Sequence, residues 1–422
     1  MARALTRGET RRNYNLLVAE GILFTVGLVF FDPNTILPLL MERLTASAIL
    51  IGFVGAVEPF AKGLIPLLAG NWVNSMPLKK PFLITAMSLG RLPLWILGLS
   101  LIWMTPANPL FWAAMLLGIQ LLFWLGDSAG DPAWMDMVGK SVPDTRRGRF
   151  FATRQVVGGL ISVAGGALVA RILGWDQLSF PANYGVIVTT AALIYTANVG
   201  TFVGLVEREG KTAPRLPIKA LFLALPDYLR RNKAFALTML IFLFVNLARL
   251  SLPFYIVFGR HSFGIGEAAL GLLIPLQIAG RILGAAAWGW VGDRYGHHWA
   301  IRGVAVTCTV PPVLALIMAL FNTWIPHLFF FSLLFFFIGF FLEGWSPFIN
   351  YMLAVVPERQ RTLYAGLMGI GNIPVALAPV LGGILLQQVG YPLLFFTTAL
   401  LTGCGFLIAV RLPRAVPAAE LE

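Results

Sequence analysis

Nine ionisable side chains stand inside long apolar stretches of this sequence: Asp32, Glu58, Lys62, Arg91, Asp127, Asp131, Arg249, Arg281 and Glu343. If those stretches cross a bilayer, a charge near the centre costs at least about 2.5–3.5 kcal/mol, so each is expected to face a protein interior or wet cavity and to have a partner. Glu58 and Lys62 lie four apart, which puts both on one helical face at ion-pair spacing. Such a pair either neutralises itself as a structural element or takes part in solute binding or proton exchange. Asp127 and Asp131 have the same spacing, and because like charges repel, one must be protonated or paired with a base such as Arg91. They are candidates for a coupled proton or cation site; in the structural alternative Asp131 holds a gate through Arg146, Arg149 or Arg154. Asp32 precedes Pro33 and Asn34, where proline withdraws a backbone donor and lets a helix open. Desolvation weakens the hold of a carboxylate on its charge, so Asp32 is a candidate for proton coupling, with a salt-bridged structural acid as the alternative. Glu343 stands among phenylalanines and beside Trp345, and an acid with ring faces around it suits an organic cation. Such aromatics also serve to face lipid or to pack. Arg91 and Arg249 offer the opposite chemistry, a positive charge for an anionic group.

The elements that position these residues follow from composition. The chain has 422 residues, 58% of them apolar and 12% charged, and a mean hydropathy of +0.80. Soluble domains have about 45–50% apolar and about 25% charged residues, so there is too little charge here to clothe a water-facing surface. A soluble enzyme is excluded. About 20 apolar residues cross the roughly 30 Å of hydrocarbon. With that ruler twelve helices are expected, near 15–40, 46–69, 81–103, 109–137, 151–173, 182–205, 234–258, 267–290, 301–321, 328–353, 364–388 and 393–411. Barrel strands would alternate with period two, and these runs do not. Arg3, Arg7, Arg11 and Arg12 precede a first run too long for a signal peptide and without a clear cleavage site, so it is read as a retained span. The connections predicted on one side, with both tails and the span ends beside them, hold 24 of the 31 Lys and Arg, and the opposite connections with their span ends hold only Arg43, Arg171 and Arg260. Both termini are therefore expected in the cytoplasm, in a cell membrane protein. The net charge of +12 follows this topology and not a docking face, so no nucleic-acid partner is expected. Cys308 and Cys404 lie far apart and give no disulfide framework.

The expected organisation is an N-tail at 1–14, a six-helix bundle at 15–205, a linker at 206–233, a second bundle at 234–411 and a C-tail at 412–422. Within the linker, Ile218 to Leu229 is apolar enough to be a short helix on the inner leaflet. The halves echo each other: Gly130 and Pro143 with Gly344 and Pro357, Arg146 and Arg149 roughly with Arg359 and Arg361, Gly70 and Asn74 with Gly289 and Asp293. These echoes read as a duplication.

With them, Gly289-Trp-Val-Gly-Asp293-Arg294-Tyr-Gly296 fits a G-x-x-x-D-R-x-G loop, Pro143-Asp-Thr-Arg-Arg-Gly148-Arg149 is a basic turn after span four, and Ala378-Pro379-Val-Leu-Gly382-Gly383 is a glycine-rich element in span eleven. In this combination the chain resembles the major facilitator superfamily over about residues 12–411. The resemblance implies two pseudo-symmetric six-helix bundles. It implies that helices one, four, seven and ten line a central cavity, bringing Asp32, Asp127, Asp131, Arg249 and Glu343 to it, with Arg249 opposite Asp32 when the halves are superposed. It also implies gating roles for Gly289, Asp293, Arg294, Gly296, Arg146 and Arg149. The first-half loop departs from the pattern: Asn74 stands where the family has Asp, with no Arg beside it, so the charged latch is expected only in the second half.

Other chemistries fail on spacing. Gly139-Lys-Ser141 and Gly210-Lys-Thr212 lack the earlier glycine of a phosphate loop. The four histidines have no metal-ligand spacing, and there is no G-x-S-x-G elbow. No enzyme activity, metal or cofactor is expected. The reading is a secondary active transporter that alternates access around a midplane site, coupled to protons or another ion, acting as a monomer on a small-molecule substrate. Export of an amphiphilic or cationic organic compound is favoured, although span five has Gly158-Gly159 and Gly165-Gly166 without the proline of the family's exporter signature. The alternatives are an importer of a sugar, amino acid or organic acid, with Arg91 and Arg249 on the anionic group, and a non-transporting receptor or lipid-handling protein.

Overall fold

A computed structural model describes residues 6–104, 108–210, 212, 226–230, 232–321, 326–356 and 361–414. Among the described residues there is no strand. Eleven helices among them are long and apolar enough to cross a membrane. The last of these, Leu367–Ala409, is two spans joined at Gly390, whose φ of 80° only glycine adopts easily and which precedes Pro392. The spans are α1 Arg7–Phe30, α2 Ala48–Val73, α3 Lys80–Trp103, α4 Pro109–Ser141, α5 Asp144–Leu173, α6 Ala182–Val203, α7 Lys233–Phe263, α8 Glu267–Tyr295, α9 His297–Leu320, α10 His327–Val355, α11 at 367–389 and α12 at 391–409. All twelve expected spans are present. Of the linker helix expected at 218–229, residues 218–225 lie outside the described residues, and 226–230 are helical. Arg3, Lys211, Arg215, Lys219, Arg231, Pro357 and Arg359 also lie outside them.

Helix is the form in which an apolar chain satisfies its backbone without water, and the starts carry recognisable caps. Thr6 and Glu9 form a capping box at α1, with Glu9 N donating to Thr6 Oγ1 at 3.2 Å and Thr6 N to Glu9 Oε2 at 2.8 Å. Asn108 caps α4 ahead of Pro109, and Asn232 caps α7.

The described residues divide into two compact units. The first takes those within 1–45, 64–216 and 267–272; the second takes those within 46–63, 217–266 and 273–422. Small residues bring helices close within each, as expected where packing replaces the hydrophobic effect. In the first, a Cβ at Gly90 of α3 would sit 3.0 Å from the carbonyl oxygens of Leu122 and Phe123 in α4. In the second, Gly280 and Gly284 of α8 face the backbone of Phe336 and Phe340 in α10, and Gly339 faces the Gln277 carbonyl. Gly52, Gly55 and Gly63 of α2 lie against Pro379 and Asn372.

Among the described residues five spans are interrupted well inside their length, and α8 and α11 also break close to their starts, at Leu272 and Gly371. After α1 ends at Phe30 the chain turns through residues 31–35 and resumes as a helix at Ile36–Thr45. α3 breaks at Leu92, α7 passes through a 3-10 turn at Leu247–Leu250 and restarts at Phe254, α9 breaks at Cys308–Thr309, and α10 breaks at Glu343–Gly344. A proline lies at or just after each break: Pro33, Pro93, Pro253, Pro311 and Pro347. Breaks in spans one and three are matched by breaks in seven and nine, a structural echo of the duplication read in the sequence. Four of the five carry an intramembrane charge: Asp32, Arg91, Arg249 and Glu343.

Candidate functional site

The first unit holds a sealed ionic network. Arg91, the last residue before the α3 break, is 2% exposed. Its Nη2 donates to Asp127 Oδ1 of α4 at 3.0 Å, and its Nη1 donates to Asn198 Oδ1 of α6. Asn198 Nδ2 in turn donates to the Glu20 carbonyl of α1 at 2.8 Å. The Glu20 carboxylate accepts from Arg154 Nη2 of α5 at 2.9 Å and from Trp134 Nε1 at 3.0 Å. Rings pack the guanidinium groups: Phe24, Tyr195 and Phe202 around Arg91, Trp134 and Phe150 around Arg154. Two acids and two bases balance, and the network joins α1, α3, α4, α5 and α6.

Arg91 is thus the base that meets Asp127. Asp131 is half-buried one turn further along α4, while Arg154, one of the bases considered for it, is held by Glu20, and Arg146 and Arg149 are exposed. Asp32 shapes its break: Oδ1 accepts from Asn34 N at 2.7 Å and Thr35 Oγ1 at 3.0 Å, a side-chain turn leading into Ile36–Thr45.

The second unit holds a more open cluster. Lys62 Nζ donates to Glu58 Oε1 at 2.8 Å, and Arg249 Nη1 lies 3.7 Å from Glu58 Oε2. Arg281 Nε of α8 donates to Glu343 Oε1 at 2.7 Å and is within electrostatic reach of Glu58, which ties the pairs into one group. The acids are the sheltered members, their side chains 15% and 11% exposed at Glu58 and Glu343, against 43% at Lys62 and 38% at Arg281. Arg249 lies on the 3-10 turn of α7 and Glu343 caps the first part of α10, so two of the five sit at helix interruptions. Interrupted spans free backbone groups, which are tolerated at membrane depth only inside protein or beside a cavity.

Of the residues singled out in the sequence, Glu58, Lys62, Arg249 and Glu343 come together here with Arg281. Arg91 and Asp127 form the core of the sealed network, and Asp32 and Asp131 belong to the same unit as that network. Arg249, expected opposite Asp32, reaches Glu58. Sequence reasoning missed Glu20, Trp134 and Asn198, and considered Arg154 only as a partner of Asp131. Asn198 had a readable signal, a polar amide inside an apolar span; Glu20 follows the N-terminal arginines and reads as interfacial.

The loop residues separate in a similar way. Asp293 and Arg294 are exposed at the end of α8, with the Arg294 guanidinium 5.7 Å from the Trp290 ring. Gly296 starts α9 at φ 95°, which explains the last glycine of the motif, while a Cβ at Gly289 would meet open space. In the first half, where Asn74 replaces the acid, charge is supplied from elsewhere. The Glu207 carboxylate accepts from Lys79 N at 2.8 Å and Lys80 N at 2.7 Å at the start of α3, where the helix dipole favours an anion. Asp136 takes Lys79 Nζ at 2.6 Å and Lys140 Nζ, which also lies 3.5 Å from Glu207. This ties the residues after α6 to the start of α3 and the end of α4. Glu207→Gln is expected to destabilise by about 1–3 kcal/mol, since it removes a charge-assisted acceptor from partly buried partners. A thermal unfolding curve of the purified protein checks this, and an unchanged midpoint would deny the strap any weight.

The major facilitator superfamily model matches residues 21–262 and again 234–422. No curated protein matches the chain. Among solved structures, the nucleoside transporter NupG shares 15% identity at a TM-score of 0.68, over 96% of this chain and 99% of that one. A POT family transporter in complex with 5-aminolevulinic acid shares 14% at 0.67, over 94% and 95%. A bacterial homologue of the iron transporter ferroportin, in an inward-facing state, shares 15% at 0.66, over 95% and 98%. At these identities the likeness is one of fold. With the family model covering both halves and twelve spans in place, this chain is a multi-pass membrane transporter that belongs to the major facilitator superfamily.

Proposed function

We propose that the protein is a proton-coupled secondary transporter that takes up a polar metabolite, with both termini in the cytoplasm, and that the cluster of Glu58, Lys62, Arg249, Arg281 and Glu343 is its solute site. The observation that carries this reading is the gathering of five charged side chains from four spans at two helix interruptions in one unit. Transporter sites are commonly built where broken helices aim freed backbone groups and charges at the midplane. Export of an organic cation has less support, because Glu343 is engaged by Arg281 at 2.7 Å. Coupling has a simple physical basis: when a solute draws a base away from Glu58 or Glu343, the released carboxylate can take a proton, and net buried charge is kept low. The skewed distribution of Lys and Arg supports the orientation.

Reconstituted liposomes test this with labelled sugars, amino acids, organic acids and lipophilic cations under an imposed pH gradient. One or more polar solutes should accumulate, a protonophore should abolish accumulation, and Glu58→Gln should cut the initial rate at least ten-fold. Extrusion of lipophilic cations with no uptake of polar solutes would overturn the reading.

A further inference from the structure

Arg249 differs from every other arginine in the two ionic groups. Arg91, Arg154 and Arg281 each donate a hydrogen bond to a carboxylate at 2.7–3.0 Å. Arg249 meets its nearest carboxylate only at 3.7 Å, beyond hydrogen-bonding distance, and its donors make no hydrogen bond among the described residues. Its side chain is 17% exposed. Donors that are accessible inside an apolar span, and not turned to a neighbouring carboxylate, are open to a partner that a bound solute supplies.

The surroundings fit one kind of occupant. Arg249 sits on the 3-10 turn where α7 is interrupted, so it is carried by backbone that neither part of the span straightens. Glu58 lies to one side, sheltered, with Lys62 hydrogen-bonded to its other oxygen. The most open members of the group are the bases, and the charges of the five side chains sum to one positive. We infer that Arg249 is the anchor for a carboxylate of the transported solute, received in the two-pronged geometry that a guanidinium offers a planar anion, with the ammonium of Lys62 adding long-range attraction. A single carboxylate brings the cluster to neutrality, whereas a phosphate monoester would leave it negative. Arg91 takes no part, because it is 2% exposed and its two Nη groups are already engaged by Asp127 and Asn198.

This inference rests on the proposed transport role and names the solute class of that same site. The test compares carboxylates with their own primary amides, isosteric probes that lack the charge, using thermal stabilisation of the purified full chain. Short monocarboxylates, amino acids and dicarboxylates are each paired with amides, and lipophilic cations are run beside them. A carboxylate should stabilise the protein and its amide should not. Arg249→Gln should weaken that carboxylate at least ten-fold, and Arg249→Lys, which keeps the charge and loses the fork, should fall between. The ligand-free midpoints of both variants show that they are folded. Equal binding of acid and amide, or undiminished binding of the acid to Arg249→Gln, would overturn the assignment. If a neutral or cationic polar solute is bound and taken up instead, the transport reading stands and this inference falls; if only lipophilic cations move, or no panel member binds or moves, both fall.

Discussion

Replacing Arg91 with methionine is expected to destabilise the first unit by about 3–5 kcal/mol, the usual cost of removing one partner from a buried ion pair. Asp127 would be left as a buried carboxylate 8% exposed, with Asn198 losing the donor that orients its amide toward Glu20. The second half of the experiment separates charge from packing. Arg91→Met combined with Asp127→Leu should recover more than half of the loss, because an apolar pair of similar volume can stand in for a buried ion pair. Thermal unfolding of the purified variants gives the comparison. If the double variant is less stable than the single one, the pair owes its place to something other than mutual neutralisation.

Gly339→Leu is expected to be more disruptive still. A Cβ at this position points into the Gln277 backbone of α8, and Gly280 and Gly284 meet the α10 backbone in the same way. No rotamer change relieves a collision with a carbonyl, so the two helices must separate along their interface. Overpacking typically costs about 1–3 kcal/mol when side chains can give way, and more where only backbone can move. The monodisperse peak in size-exclusion chromatography should drop at least ten-fold. Gly403→Leu is the control, since a Cβ there meets nothing within 4 Å. Equal yields from both variants would show that α8 and α10 tolerate separation.

The spans were legible because length and apolarity are one-dimensional properties of a sequence, and lipid imposes a helix on any run that meets them. The interruptions were only partly legible. Pro33 flagged the break at Asp32, but Pro93, Pro253 and Pro311 mark breaks as consequential. The Glu58–Lys62 pair was readable from local spacing, and the two pairings of Arg249 and Arg281 were not. Those depend on which faces of distant helices meet, and a helix apolar on all sides has no polar stripe to declare its inward face. Glu207 was hidden for a related reason: its partners are backbone amides of Lys79 and Lys80, and backbone amides have no signature in a sequence.

The interruption of α7 has a bearing on how the protein is made. Its two helical parts have 14 and 10 residues, about 21 and 15 Å at 1.5 Å per residue, and neither alone reaches across roughly 30 Å of hydrocarbon. The turn between them leaves backbone groups that lipid cannot satisfy, and residues 250–259 are all buried. Much of the protein surface that covers this span comes from the far end of the chain, with Gly382 against the Leu250 carbonyl and Gly405 against Phe244, while α2 and α10 add Gly55 beside Pro253 and Phe331 beside Phe258. Span seven is therefore expected to complete its packing only when the last two helices arrive, and a chain cut before them should leave the Leu250 and Phe244 backbone without these partners.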